Sequence, residues 1–267
     1  KKIEEAITNK TKAIIVVHMF GNPCKIKEIK KIANKKNIYL IEDSSHAHGS
    51  KYQNKNCGNF SDISVFSVHQ RKNLCAGEGG LIISRKKNID KKIYQLRSFG
   101  SNKLSYNYRM TEFSAAIGRV SLKNLTKENK KRNQNVLYLD KRINKNFFNI
   151  ILPLRNCEST FHKLPILYNY KKFYKNINFF IKFMNKKGIP FTKAYTPLHH
   201  HPNFNQKKKI MDNFPNIKLD YSKYSYKNCE EICYKKLTEL SIHDPVNKKL
   251  LDKLLIILED YVKKFRK

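Results

Sequence analysis

The sequence predicts an α/β domain over residues 1–125, followed by a connecting helix and a smaller α+β domain over 126–267. Two patterns carry this expectation. In the first half, short apolar β-branched runs alternate with amphipathic stretches. After a highly charged stretch of helical propensity, Thr126–Asn144, the pattern changes. The chain's 267 residues suffice for two domains, and 40% hydrophobic residues can build their cores.

Ala13–Val17 (A-I-I-V-V) is wholly apolar and β-branched, the pattern of a strand buried on both faces of a parallel sheet. Gly21 and Pro23 punctuate the loop that follows. Lys25–Lys36 sets Ile26, Ile29, Ile32 and Ala33 on one face with lysines opposite, which predicts an amphipathic helix. Ile38–Ile41 is the next strand. The β-α-β unit makes the two strands parallel, and ligand sites in such sheets lie beyond the carboxyl ends of the strands. His18, Glu42 and Asp43 fall there. Ile63–Val68 is a third strand and Leu81–Ser84 a fourth, reached through the turn G-E-G-G. Helices are predicted over Asn88–Ser98 and Met110–Leu125, the latter rich in small residues. In the second half Phe161–Leu167 is strand-like, and Ile177–Lys187 is a helix ended by Gly188. Phe191–Leu198 is extended; Asn228–Leu237 and Lys248–Phe265 are helices.

A net charge of +34 raises nucleic acid or an anionic membrane as a partner. The lysines are spread over the whole length and form no dense block, so solvated faces explain them and neither partner is expected. Six cysteines form no C-x-x-C pair, and no apolar run approaches the roughly 18–20 residues of a bilayer span. Free thiols and a cytoplasmic location are the expectation.

Lysine and arginine are absent from Ile41–Ser50 and from Ser61–Gln70, yet Arg71 and Lys72 follow directly. A lysine in a turn between buried strands loses its proton more easily than a surface lysine, and its amine can then attack a carbonyl. An aspartate at a neighbouring strand end pairs well with a heterocyclic cation. Pyridoxal phosphate needs both groups, together with phosphate donors such as Ser67 and backbone amides. On these grounds alone, a surface lysine and a helix-capping Asp43 remain equally open.

Four motifs occur in order: V-H-M-F-G-N-P at Val17–Pro23, I-E-D-S-S-H-A-H-G at Ile41–Gly49, F-S-V-H-Q-R-K-N-L-C-A-G-E-G-G at Phe66–Gly80 and Y-N-Y-R-M-T-E-F-S-A-A-I-G at Tyr106–Gly118. Together they resemble the DegT/StrS family of pyridoxal-phosphate-dependent aminotransferases, which act mainly on keto groups of nucleotide-linked sugars. The resemblance is strong over Ile3–Leu125 and continues weakly through Gly188–His199. It implies an aspartate-aminotransferase-like (fold type I) large domain and a homodimer with shared active sites. Lys72 would form the Schiff base, Asp43 would keep the pyridine nitrogen protonated, and His46 would lie near the ring's phenolic oxygen. Ser67 would bind the phosphate, and Asn107 the phosphate of the neighbouring subunit. The implied reaction passes an amine from glutamate or glutamine to a keto-sugar, for surface-polysaccharide or related amino-sugar biosynthesis. Family members that dehydrate their substrate carry His in place of this lysine.

Arg71 stands where the family usually has a small or hydroxyl residue, and Ser45 where a small apolar residue commonly lies against the ring. The family's large domain begins before the point matched by Lys1, so a domain incomplete at its N-terminus is expected. It would lack a Ser-Gly-Thr phosphate turn and a stacking aromatic, and it would expose apolar surface. A non-catalytic remnant or interaction subunit is the alternative to an active enzyme. His199-His200-His201 sits near a domain junction, where His199 is a candidate substrate contact. No metal site is expected there, because adjacent histidines converge poorly and neither Cys nor carboxylate flanks them.

Overall fold

The computed structural model describes residues 2–99, 104–201, 224–242 and 248–267. The chain divides into two compact units. The first comprises 1–137, 152–163 and 242–246; the second comprises 138–151, 164–241 and 247–267.

The first unit is built on a four-stranded sheet in the order β1 (Ala13–Val17), β2 (Tyr39–Asp43), β5 (Ile63–Ser67), β6 (Gly80–Ser84). Between β2 and β5 lie two short strands, β3 (Lys51–Tyr52) and β4 (Lys55–Asn56). They join β8 (Cys157–Glu158) in a separate three-stranded sheet. β1 and β2 are parallel, with Val17 opposite Asp43, as the β-α-β pattern predicts. β5 continues the parallel set with Val65 opposite Asp43, and β6 returns antiparallel with Gly80 opposite Ser67. Helix α1 (Lys2–Ala6) precedes β1, and α2 (Ile26–Lys35) is the predicted amphipathic crossover. It buries Ile26 and Ala33 against Val16, Leu40, Tyr52 and Phe60.

Two expectations are corrected here. β2 runs two residues past the apolar run and ends on Asp43, because the Ser44 amide still donates to the Val65 carbonyl at 2.9 Å. β1 is covered on one face only: Val16 is buried, whereas Ile15 is 67% exposed and Val17 41%. β6 shares the open apolar face, with Ile82 55% exposed. Helix α3 (Lys87–Arg97) follows β6. The two helical stretches predicted on either side of Leu125 form one helix, α4 (Glu112–Asp140).

The second unit carries a four-stranded antiparallel sheet in the order β10 (Phe191–Lys193), β11 (Leu237–Leu240), β9 (Leu164–Tyr168), β7 (Phe148–Ile150). Its helices are α5 (Ile177–Lys186), α6 (Lys227–Glu231) and α7 (Lys248–Phe265). The predicted helix Asn228–Leu237 is shorter: α6 passes into a π-helical turn, Ile232–Lys236, and Leu237 already starts β11. Among the described residues, no helix is long and apolar enough to cross a membrane.

Aromatic side chains form the second core. Tyr168 and Phe173 stack with ring centroids 4.8 Å apart. Phe180 is fully buried and lies 5.0 Å from Tyr168, 5.0 Å from Tyr261 and 5.2 Å from Phe191. It thus joins α5 to β9, α7 and β10. Phe180→Ala should destabilise the second unit by about 3–5 kcal/mol, measured by urea unfolding. A loss under about 1 kcal/mol would mean that this cluster does not hold the unit together.

Candidate active site

The site is set by what lies at the carboxyl ends of β1, β2 and β5. Glu42, the penultimate residue of β2, is completely buried. A buried carboxylate persists only with full hydrogen bonding. His18 Nε2 lies 3.0 Å from Oε2, and the Gly58 amide donates to the same oxygen at 2.8 Å. The amides of Phe60 and Ser61 donate to Oε1 at 2.8 and 2.9 Å, and the Ser61 hydroxyl at 2.8 Å. Burial alone would raise the Glu42 pKa, but His18, the loop amides and Ser61 outweigh it and hold it at about 2. Gly58 belongs in this loop because its φ is +89°, and a Cβ there would meet Phe66 Cζ at 2.5 Å.

Side chains alternate along a strand, so burying Glu42 turns Asp43 to the other face. Asp43 is half-buried; its Oδ1 accepts from the Ser45 amide at 3.0 Å, and its carbonyl from the His18 amide at 3.1 Å. Lys72 lies in the loop between β5 and β6, its amide donating to the His69 carbonyl at 2.8 Å. Burial holds its ammonium below the ordinary lysine range; Asp43 opposes that shift and the charge of Lys163 adds to it. His46 is pushed down to about 4, chiefly by burial and then by Lys72, with Asp43 opposing. It is therefore a neutral imidazole near neutral pH. Its Nδ1 accepts from the Phe20 amide at 3.4 Å, and its ring stacks on His162 with centroids 4.3 Å apart. His48 is likewise brought down to about 4, chiefly by burial, with the Ser67 backbone opposing and Lys72 adding to it.

Lys72 and Asp43 thus both lie close enough to His46 to move its pKa, and Asp43 lies close enough to Lys72 to oppose its shift. Ser67, the last residue of β5, is half-buried, and its Oγ accepts from the His69 amide at 3.4 Å. Asn107 stands apart on an exposed segment with φ +53°, where its Oδ1 accepts from Arg109 Nε at 2.9 Å. His199 belongs to the second unit, buried with its Nε2 2.9 Å from Glu230 Oε1.

Sequence reasoning missed the residues that steady the Lys72 loop. Asn73, buried beside Lys72, donates to the Thr160 carbonyl at 3.0 Å. Asn129 of α4 donates to the His48 carbonyl at 2.9 Å and accepts from Arg132 at 3.0 Å. Asn133 donates to the Ser159 carbonyl at 2.8 Å. His162 and Lys163 extend the same segment toward His46 and Lys72. One signal was present: polar Asn129, Arg132 and Asn133 recur at helical spacing on one face of α4.

The donor set fits a group carrying an aldehyde and a basic ring nitrogen. It offers an amine of lowered basicity, a carboxylate held by a main-chain amide, and neutral imidazoles beside them. A lysine and a carboxylate on a sheet of this topology fit the needs of a pyridoxal-phosphate site. Residues 1–226 match the DegT/DnrJ/EryC1/StrS aminotransferase family, and the chain belongs to that family. A UDP-4-amino-4,6-dideoxy-N-acetyl-beta-L-altrosamine transaminase of Campylobacter jejuni is 32% identical over 93% of this chain and 71% of its own length. A GDP-perosamine synthase of Escherichia coli is 41% identical over 45% of this chain and 35% of its own. The solved structure of Helicobacter pylori PseC, an aminotransferase involved in the biosynthesis of pseudoaminic acid, matches with TM-score 0.86 at 25% identity. That match covers 98% of this chain and 70% of PseC. The fold is that of the type I aminotransferases. The chain spans between 35% and 71% of the length of these relatives.

The Glu42 cluster makes a pH prediction. Its folded pKa of about 2 lies below its ordinary 4.5, so its stabilising contribution is complete above pH 4.5 and fades as pH falls toward 2. Glu42→Gln should cost about 3–5 kcal/mol near neutral pH, with the gap to wild type shrinking below about pH 4. A gap that stays constant from about pH 6 to about pH 3 would contradict the assignment.

Proposed function

We propose that this chain carries the pyridoxal-phosphate site of an enzyme that moves an amino group from glutamate or glutamine to the keto group of a nucleotide-linked sugar. The observation that carries the proposal is Lys72: a half-buried amine of lowered basicity, with the Asp43 carboxylate near enough to oppose that lowering, in a member of this family. When bound, pyridoxal phosphate supplies an electron sink for the carbon that bears the amine. Asp43 would keep the cofactor's ring nitrogen protonated. Lys72 would hold the cofactor covalently and, once released, move the proton at the amine-bearing carbon as general base and acid. Lys72 suits both roles because burial favours its neutral form while Asp43 limits the shift.

His46, a neutral ring backed by His162, would lie beside the phenolic oxygen, and Ser67 at the end of β5 would take the phosphate. Asn107 would serve a second copy of the chain in a homodimer; its exposed position is compatible with that role. The sugar assignment is supported by relatives named as a UDP-linked amino-sugar transaminase and a GDP-perosamine synthase. Amino-sugar synthesis for surface polysaccharide follows from that substrate class.

The test is amine transfer to UDP- and GDP-linked 4-keto-6-deoxyhexoses with pyridoxal phosphate and glutamate present. The 2-oxoglutarate formed should be sugar-dependent and should drop at least about 1,000-fold in Lys72→Ala, consistent with losing both a covalent and an acid–base role. Product formation undiminished in Lys72→Ala, or no transfer to either keto-sugar, would contradict the proposal.

A further inference from the structure

We propose that His199, His200 and Glu230 form a binding site for a divalent transition-metal ion, with zinc the best match to its donors. The site lies wholly in the second unit and is independent of the amino-transfer reading. His199 and His200 lie on a single 3-10 turn, Leu198–His200. Glu230, 31 residues beyond His199, returns to that turn on α6. His199 Nε2 is 2.9 Å from Glu230 Oε1, and His200 Nε2 is 3.9 Å from the same oxygen. One donor atom from each residue lies within 4.8 Å of the others. The two rings are 4.2 Å apart and tilted by 51°, so adjacent histidines do converge here, on a carboxylate that the sequence alone does not set beside them.

The surroundings are arranged as around a metal centre. His200 Nδ1 lies 2.8 Å from the Tyr234 hydroxyl, which gives that nitrogen an outer partner and leaves Nε2 facing Glu230. His199 is buried and held edge-on by Tyr226, centroids 4.8 Å apart. The Tyr226 amide at 2.8 Å and the Ser225 hydroxyl at 3.3 Å orient the carboxylate. Two imidazoles, which are borderline donors, joined by one carboxylate favour zinc, cobalt or nickel over magnesium and calcium, which prefer oxygen alone. The ion would fasten the Leu198–His200 turn to α6, a cross-link between two stretches that no backbone ladder joins.

Cys229 and Cys233 flank Glu230 on the same helical segment and interact with each other, so they are the competing ligands for a soft ion. Cobalt(II) added to the full chain distinguishes the two sites, because thiolates give an intense charge-transfer band and imidazoles do not. One equivalent should bind with visible d–d absorption and no thiolate band, and zinc should displace it. His199→Ala and Glu230→Gln should each weaken binding by at least about tenfold, with unchanged far-ultraviolet circular dichroism showing that both still fold. A Cys229→Ser/Cys233→Ser double variant should bind as wild type. No binding at about 100 μM cobalt, affinity retained in both His199→Ala and Glu230→Gln, or affinity lost in the double cysteine variant would each overturn the proposal.

Discussion

The buried carboxylate of Glu42 is the constraint on which the first unit depends. Removing a carboxylate from water costs several kcal/mol, and only a full set of donors offsets that. Those donors come from two places, His18 beyond β1 and the loop Gly58–Ser61, and the register of β2 delivers Glu42 to them. The result is a rigid strand end, and the next residue on that strand is Asp43. Its orientation follows from strand geometry once Glu42 is anchored.

A second set of polar contacts performs the same service for Lys72. The loop that carries it spans residues 68–79 and would be mobile without support. Asn73 anchors it to the Thr160 carbonyl, while Asn129 on α4 ties the same region to the His48 carbonyl. Lys72 is thereby held half-buried in a chain whose other charges are mostly solvated. Lys86 shows the contrast: its ammonium is raised above the ordinary value by its hydrogen bond to Asp62. Burial moves Lys72 the opposite way, and Asp43 limits the shift. The lowered basicity of this amine comes from its surroundings, not from its sequence neighbours.

Much of this was legible in the sequence because it is local. The apolar run Ala13–Val17 and the lysine-backed face of α2 encode one β-α-β unit, and the structure reproduces its strands and their parallel pairing. What was illegible depends on partners far along the chain. β2 continues through two acidic residues because its ladder with β5 runs on to Ser44 and long-range donors satisfy Glu42. The helix predicted over Asn228–Leu237 overlaps β11 at Leu237 only, and Leu237–Leu240 gains its strand character from pairing with β9 and β10. Asn129 sits in a stretch so charged that it reads as solvated, yet it is buried. The carboxylate near His199 and His200 comes from another element altogether. The open face of β1 is the opposite case, an apolar pattern that this chain does not itself cover.

The most direct test of the account is chemical mapping of the lysine that holds the cofactor. The chain is treated with sub-stoichiometric pyridoxal phosphate, reduced with borohydride, digested and sequenced by mass spectrometry. In so lysine-rich a protein, unselective reaction would scatter the label over many surface positions. The account predicts that the label concentrates on Lys72 and that Asp43→Ala weakens cofactor retention without redirecting it. Label spread across the surface lysines, with Lys72 no more reactive than the rest, would contradict it.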